Sequence, residues 1–302
     1  MAEYIITVIT APGAQTVSEE CIQLLAREFT GCSGRRQVHE QHASCAAISF
    51  KAGREPELSR DRLREINDAI ERLGADVFIR PRDSAEHPPT LFVFDMDSTI
   101  IQAEVVDRLA ALAGCGPEVS AITESAMRGE IDFPTSLRKR VSLLKGLQEE
   151  VFAELEQDID LGIGLETLMH GLAAHSCKTA VISGGFGIVG RKLQQRFGFD
   201  HVFTNELELV DGSLTGQLAA EIIDGQRKAE LLNQVANHEG ISRTQVVAVG
   251  DGANDLLMLA RAGLGVAYHA KPVVQAAAPY RLTNAGLDAL LYLLEVNLLH
   301  TG

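Results

Sequence analysis

The sequence predicts an α/β protein in two units, a small α+β unit followed by a parallel, Rossmann-like sheet that carries an inserted helical cap. Three observations point there. Residues 1–80 read as strand, helix, strand, strand, helix, strand; a polar stretch with three prolines follows; and from Leu91 onward short apolar runs alternate with helical patterns.

The first strand is expected at Tyr4–Ile9, an amphipathic helix at Thr16–Phe29, and a weaker strand near Gln37-Val38. A strand at Ala43–Phe50, a charged helix at Leu58–Leu73 and a strand at Asp76–Ile79 complete a ferredoxin-like order. The run Pro81-Arg82-Asp83-Ser84-Ala85-Glu86-His87-Pro88-Pro89 has no periodicity and reads as a linker over residues 81–90, which divides the chain into 1–80 and 91–302. Parallel strands are then expected at Leu91–Phe94, Thr179–Ile182, His201–Thr204, Gln245–Val249 and Leu264–Val266. The Asp211-Gly212 pair predicts a small hairpin between Leu209 and Leu214. Far more chain separates the first two parallel strands than one crossover helix needs. Helical patterns over Val105–Gln157, split at Gly114-Cys115-Gly116-Pro117 and at Asp132-Phe133-Pro134, therefore predict a cap over about residues 104–172.

With 302 residues, 46% of them hydrophobic, the chain can bury a sizeable core. Its 41 acidic and 27 basic residues leave a formal charge of -14, which argues against a broad nucleic-acid surface while leaving room for one basic pocket that receives a phosphate. Five scattered cysteines without a Cys-x-x-Cys pair suggest neither a zinc knuckle nor a disulfide framework. No basic leader and no apolar run of membrane-spanning length is present, so a cytoplasmic protein without a membrane partner is expected.

Chemistry is expected where the strand Leu91–Phe94 runs into Asp95-Met96-Asp97, since ligands of open α/β sheets bind beyond the carboxyl ends of strands. Two carboxylates there can hold a metal, attack, or move protons. The next strand ends in Ser183-Gly184-Gly185, a hydroxyl and close-approaching N–H groups suited to an anion. A later strand ends in Gly250-Asp251-Gly252-Ala253-Asn254-Asp255, from which Asp251 can complete a site with Asp95. Such oxygen ligands suit Mg²⁺, whereas the spacing is not that of a calcium loop. Lys228, ahead of a helical stretch, can reach the same crevice.

In that order the motifs resemble the haloacid dehalogenase superfamily of aspartate-nucleophile phosphohydrolases, over residues 91 to 285. The resemblance implies that Asp95 is the nucleophile that takes the phosphoryl group, and that Asp97 is the general acid and then the base. It implies Mg²⁺ held by Asp95, the backbone carbonyl of Asp97 and Asp251, with Asp255 orienting that shell. Ser183, Gly184 and Lys228 would hold phosphoryl oxygens, with Asn254 near the phosphate or the attacking water. Where the superfamily's ion pumps carry Thr, this chain has Asp97, the phosphatase pattern.

Glu104 and the cap runs Ala126-Met127-Arg128-Gly129-Glu130-Ile131-Asp132-Phe133 and Ser136-Leu137-Arg138-Lys139-Arg140-Val141 are similar to those of the phosphoserine phosphatases. By that resemblance Glu104 meets the substrate ammonium, Arg140 its carboxylate, and Met127 and Phe133 an apolar lid. The substrate implied is O-phospho-L-serine, whose hydrolysis ends serine biosynthesis. The first unit resembles ACT-type domains, which implies an amino-acid effector or a homodimer. Two rivals stand beside this reading: transfer of the phosphoryl group to an acceptor such as homoserine or action on another small ester, and a non-catalytic amino-acid sensor.

Overall fold

The computed structural model describes residues 2–14, 16–30, 36–38, 47–54, 58–85, 87–152, 155 and 159–294. Residues 43–46 of an expected strand, together with Gln15, Cys32, Cys45 and Glu86, lie outside them. The amino-terminal unit is β1 (Ala2–Thr10), α1 (Glu19–Glu28), β2 (Arg36–Val38), β3 (Ala47–Arg54), α2 (Arg60–Glu71) and β4 (Ala75–Pro81), in an antiparallel sheet of order β2-β3-β1-β4. This is the ferredoxin-like order that the pattern predicts. Ser18 and Ser59 cap the two helices by accepting the N–H groups of Cys21 and Arg62. Ile6, Val8 and Ile79 of the sheet pack on Ile22, Leu25, Ile66 and Ile70 of the helices.

The described part of the run 81–89 is more ordered than its composition suggests. It holds a one-turn helix, α3 (Arg82–Ala85), and Arg82 reaches back to Glu3 at 2.6 Å. Pro88 and Pro89 give their carbonyls to Gln245 and Cys177. A polar sequence can be pinned by what lies beneath it, which composition does not report.

Six parallel strands form the second sheet, in the order β12-β11-β10-β5-β6-β7: β5 (Leu91–Phe94), β6 (Lys178–Phe186), β7 (His201–Asn205), β10 (Val246–Gly250), β11 (Leu264–Tyr268) and β12 (Tyr280–Leu282). The edge strand β12 was not foreseen, because three residues bounded by Pro279 and Thr283 make too short a run to stand out. Between β5 and β6 lie α4 (Val105–Leu112), α5 (Gly116–Met127), α6 (Phe133–Ser142) and α7 (Leu165–Ala174). The breaks fall where the sequence splits: Gly114 takes a left-handed turn at φ 70°, and Asp132 caps α6 by accepting the Thr135 N–H at 2.8 Å. The hairpin of β8 (Leu207–Val210) and β9 (Ser213–Leu218) turns at Asp211 and Gly212, φ 50° and 76°, as expected for an Asp-Gly turn. The remaining helices are α8 (Gly187–Phe197), α9 (Gly225–His238), α10 (Leu256–Arg261) and α11 (Pro272–Ala277).

Strand parity decides what β5 delivers. Leu91 and Val93 pack with Leu231, Leu232 and Val235 of α9, while Phe92 and Phe94 pack on the other face with Leu109 and Leu168. Asp95 continues the Leu91 parity, toward α9. The two units join along β4 and β12. Asp76 of β4, buried, accepts the N–H groups of Thr283, Asn284 and Ala285, and Arg281 of β12 pairs with Asp68 of α2 at 2.6 Å.

Candidate active site

Asp95 stands at the carboxyl end of β5, its N–H donated to the Val249 carbonyl of the adjoining β10 at 2.9 Å. This pairing brings the ends of β5 and β10 side by side, so that Asp251 and the turn to α10 face Asp95. Carboxylate oxygens of Asp95, Asp251 and Asp255, all buried, lie within 4.8 Å of one another. The Asp97 carboxylate is not part of this triad. Lys228, fully buried on the first turn of α9, lies 2.7 Å from Asp95 Oδ1 and 2.7 Å from Asp255 Oδ1. Asp224 caps α9 through the Arg227 N–H and so fixes where that turn begins. Asp255 also accepts the Gly252 N–H at 2.9 Å. A Cβ at Gly250 would meet the Asp255 carboxyl carbon at 2.5 Å, which is why a glycine ends β10.

The electrostatics follow from three acids sharing a dry crevice with one ammonium. Burial alone would lower the Lys228 pKa, but Asp255 and Asp95 outweigh it and hold the ammonium charged well above its ordinary value. Asp251 is pushed up to about 7, first by burial and then by Asp95 and Asp255. Asp255 is raised too, by burial and by Asp95, against the pull of Lys228. Repulsion of this kind among hard oxygen donors is what a divalent cation relieves, so the residues fit a metal ion of the magnesium type.

Asp97 sits beyond Asp95 in a separate niche. Its Oδ1 is buried without a hydrogen-bond partner, and a Cβ at Gly185 would meet its carboxylate at 2.9 Å. Burial, then the charges of Glu104 and Asp95, hold its carboxyl well above the usual range, with the Val105 N–H opposing them. This is a carboxyl built to keep a proton, set beside the Lys228-paired Asp95. Ser183, buried on β6, accepts the Gly185 N–H at 3.0 Å. Gly184 faces the Phe133 ring, which an added Cβ would meet at 2.8 Å.

The cap contributes the rest. Glu104 stands at the N-cap position of α4 without a side-chain cap bond and receives the Ser98 hydroxyl at 3.3 Å; burial raises its pKa and Lys271 opposes that. Arg140 of α6 is 8% exposed and its Nε has no partner; burial weakens its proton hold, and Glu104, Asp107 and Asp97 strengthen it. Of the expected residues, Met127 is the most exposed, at 71%, at the end of α5. Asn254 is half-buried in the turn after Asp251, its carbonyl close against Gly225.

Four residues of the site escaped the sequence reading. Asn205, buried at the end of β7, donates to the Gly184 carbonyl and accepts the Ile223 N–H, each at 2.8 Å, and so holds the anion loop. Ser136 lies one helical turn before Arg140, buried with an unpartnered hydroxyl; that i, i+4 spacing was the available signal. Ser98, whose φ of 56° turns the chain out of β5, holds Glu104. Lys271, 52% exposed at the mouth, places its ammonium 3.9 Å from Asp251. Nothing in the sequence near Lys271 distinguishes it from a surface lysine.

A buried Asp–Lys pair at parallel strand ends, with a proton-holding carboxyl beside it and a helical cap above, defines a class. The chain belongs to the haloacid dehalogenase-like hydrolases, whose family profile matches residues 92–260. Within that class its curated relatives are phosphoserine phosphatases: that of Archaeoglobus fulgidus is 45% identical over 237 residues, 78% of this chain and 68% of the relative. Among solved structures, a probable phosphoserine phosphatase of Vibrio cholerae, in unliganded form, is 35% identical with a TM-score of 0.74, covering 99% of this chain and 88% of that one. A phosphoserine phosphatase solved as a phospho-aspartyl intermediate analogue is 40% identical with a TM-score of 0.64, over 68% of this chain and 98% of that one.

Proposed function

We propose that the chain is a Mg²⁺-dependent phosphoserine phosphatase that hydrolyses O-phospho-L-serine to serine and phosphate through phosphorylated Asp95. The observation that carries this reading is the contrast between Asp95, paired to a buried ammonium, and Asp97, a carboxyl that burial keeps protonated. Asp95 attacks phosphorus, the serine alkoxide leaves, and it takes the Asp97 proton. Asp97, now ionised, takes a proton from water; the hydroxide attacks the aspartyl phosphate, releasing phosphate and restoring Asp95. Lys228, Ser183 and the Gly184 N–H stabilise the phosphoryl oxygens as charge develops. Asp95, Asp251 and the Asp97 carbonyl, with Asp255 behind them, would hold Mg²⁺, which would supply further neutralisation of that charge.

Glu104 and Arg140 read the amino acid. A buried guanidinium with a free Nε calls for an anion, and the serine carboxylate supplies one while Glu104 takes the ammonium. Phe133 and Met127 close over the ester and exclude water. The linker at 81–90 divides the chain into an ACT-like unit, which would take an amino-acid effector or a second copy, and the phosphatase unit, into whose core a cap over about 104–172 is inserted; the cell compartment is the cytoplasm. The test is turnover by the purified protein, with Mg²⁺ and with excess chelator, of phosphoserine, phosphothreonine, phosphoglycolate and sugar phosphates. Phosphoserine should be the preferred substrate, and chelator should abolish the activity. Equal rates on all four would overturn the substrate. Formation of O-phosphohomoserine in place of free phosphate when homoserine is added would favour transfer.

A further inference from the structure

A cavity of about 500 Å³ lies between α2 of the amino-terminal unit and the α10–β12 edge of the core, and shares no lining residue with the site at Asp95. Its lining holds four arginines, Arg60, Arg64, Arg243 and Arg281, against one carboxylate, Asp61. In a chain of net charge -14 such a concentration of guanidinium groups is unexpected. Not all of it is spent within the protein. Arg281 is paired with Asp68 at 2.6 Å and lies 3.6 Å from Glu71, but Arg243 meets only a carbonyl, that of Ala260 at 2.7 Å. Arg60 and Arg64 are exposed and have no ion-pair partner among the described residues.

The floor has a different character. Leu63, Leu259 and Pro279 line it together with short alanine side chains of α11 and of the end of α10, so this part of the lining is apolar. The volume falls in the range of ~300–1,000 Å³ that encloses a metabolite rather than a bare ion. A phosphate alone would leave the floor unused, and an apolar molecule alone would leave the guanidinium groups unanswered. Guanidinium groups bind phosphate bidentately and also stack on planar rings.

We propose that this cleft binds a nucleoside monophosphate or a metabolite of the same chemistry, a phosphate dianion joined to a planar body, with the phosphate at Arg60, Arg64 and Arg243 and the planar part on the Leu63–Leu259–Pro279 floor. The site is independent of the phosphatase reading, since none of its residues belongs to the catalytic machinery.

Titration calorimetry with AMP, adenosine and inorganic phosphate tests it on the full chain. AMP should bind saturably and at least tenfold more tightly than either half of the molecule. Arg64→Glu with Arg243→Glu should weaken AMP at least tenfold while phosphoserine turnover stays within twofold. Should that charge reversal compromise folding, Arg60→Ala and Arg64→Ala, both at exposed positions, are to lower AMP affinity with circular dichroism unchanged. Failure of AMP to bind overturns the proposal, as does phosphate binding as tightly as AMP. So does AMP binding that ignores the arginine substitutions, the outcome expected if AMP entered only the site at Asp95.

Discussion

The two halves of the active site are built on different terms. On the sheet side nearly every charge has its partner: Lys228 lies between Asp95 and Asp255, Asp255 holds the Gly252 N–H, and Asn205 holds the Gly184 carbonyl. On the cap side, and at Asp97 facing it, polar atoms are buried without partners: Arg140 Nε, Ser136 Oγ and Asp97 Oδ1. Folding sets the geometry of the half that handles phosphate, where a cation would answer the remaining carboxylate repulsion. The half that reads the ester is left short of hydrogen bonds, so a substrate that supplies them recovers a desolvation cost already met, and one that cannot is rejected. Chemistry is thereby shared with the family, and specificity is assigned to the cap.

The largest test of this contrast falls on the sheet side. Asp95→Asn should remove turnover and covalent phosphorylation together, read by phosphate release and by intact mass after exposure to substrate; substantial residual hydrolysis would break the assignment. Lys228→Met should lower kcat by about 10²–10³-fold, the usual cost of losing a donor to developing charge. It should also destabilise the fold by about 3–5 kcal/mol in denaturant titrations, because two buried carboxylates lose their counter-ion. A variant that lost activity at unchanged stability would show that the pair is not part of the scaffold.

On the cap side the effect should be smaller and confined to binding. Arg140→Ala should raise KM for phosphoserine by about 10²-fold, within the range for a truncated buried charge contact, and leave an aryl phosphate without a carboxylate nearly unaffected. Equal losses on both esters would make Arg140 structural. Next comes Gly184→Ala, whose added carbon would meet Phe133 at 2.8 Å; overpacking of this kind costs about 1–3 kcal/mol, and the thermal midpoint should fall.

The smallest expected effect has the opposite sign. The folded-state pKa of Asp97 is raised, so the folded state holds its proton longer than the unfolded chain does, and the residue's contribution to stability declines as pH rises through its unfolded value near 4. Asp97→Asn should therefore stabilise the protein by about 0.5–2 kcal/mol at neutral pH, a usual trade of function for stability. The gain should vanish on acidification to about pH 3, and a gain that did not depend on pH would have another cause.

How far these features could be read in advance depends on whether their cause is local. Parallel strands such as Leu91–Phe94 announce themselves as unbroken apolar runs, and the breaks between cap helices as the Gly114–Pro117 and Asp132–Pro134 punctuation. Asp95, Asp97, Ser183, Lys228 and Asp251 were legible because each follows or approaches a strand end. Asn205, Ser136 and Lys271 were not, because what they do is set by chain remote in sequence: Asn205 by Gly184 and Ile223, Lys271 by Asp251. The helix at Arg82–Ala85, inside a run that composition reads as linker, was hidden for the same reason, since Arg82 is held by the remote Glu3.

The contact between Lys228 and Asp95 has a consequence for how activity arises at all. Asp95 is synthesised early, yet its ammonium partner arrives only after the whole cap, β6 and β7 have been made, and its neighbouring strand β10 later still. A nascent or truncated chain that stops before α9 carries Asp95 without the ammonium that pairs with it. Catalytic competence is thus withheld until the sheet closes around β5 from both sides. Contacts so distant along the chain also make assembly slow, so the appearance of turnover during refolding should report the last step of folding rather than the first.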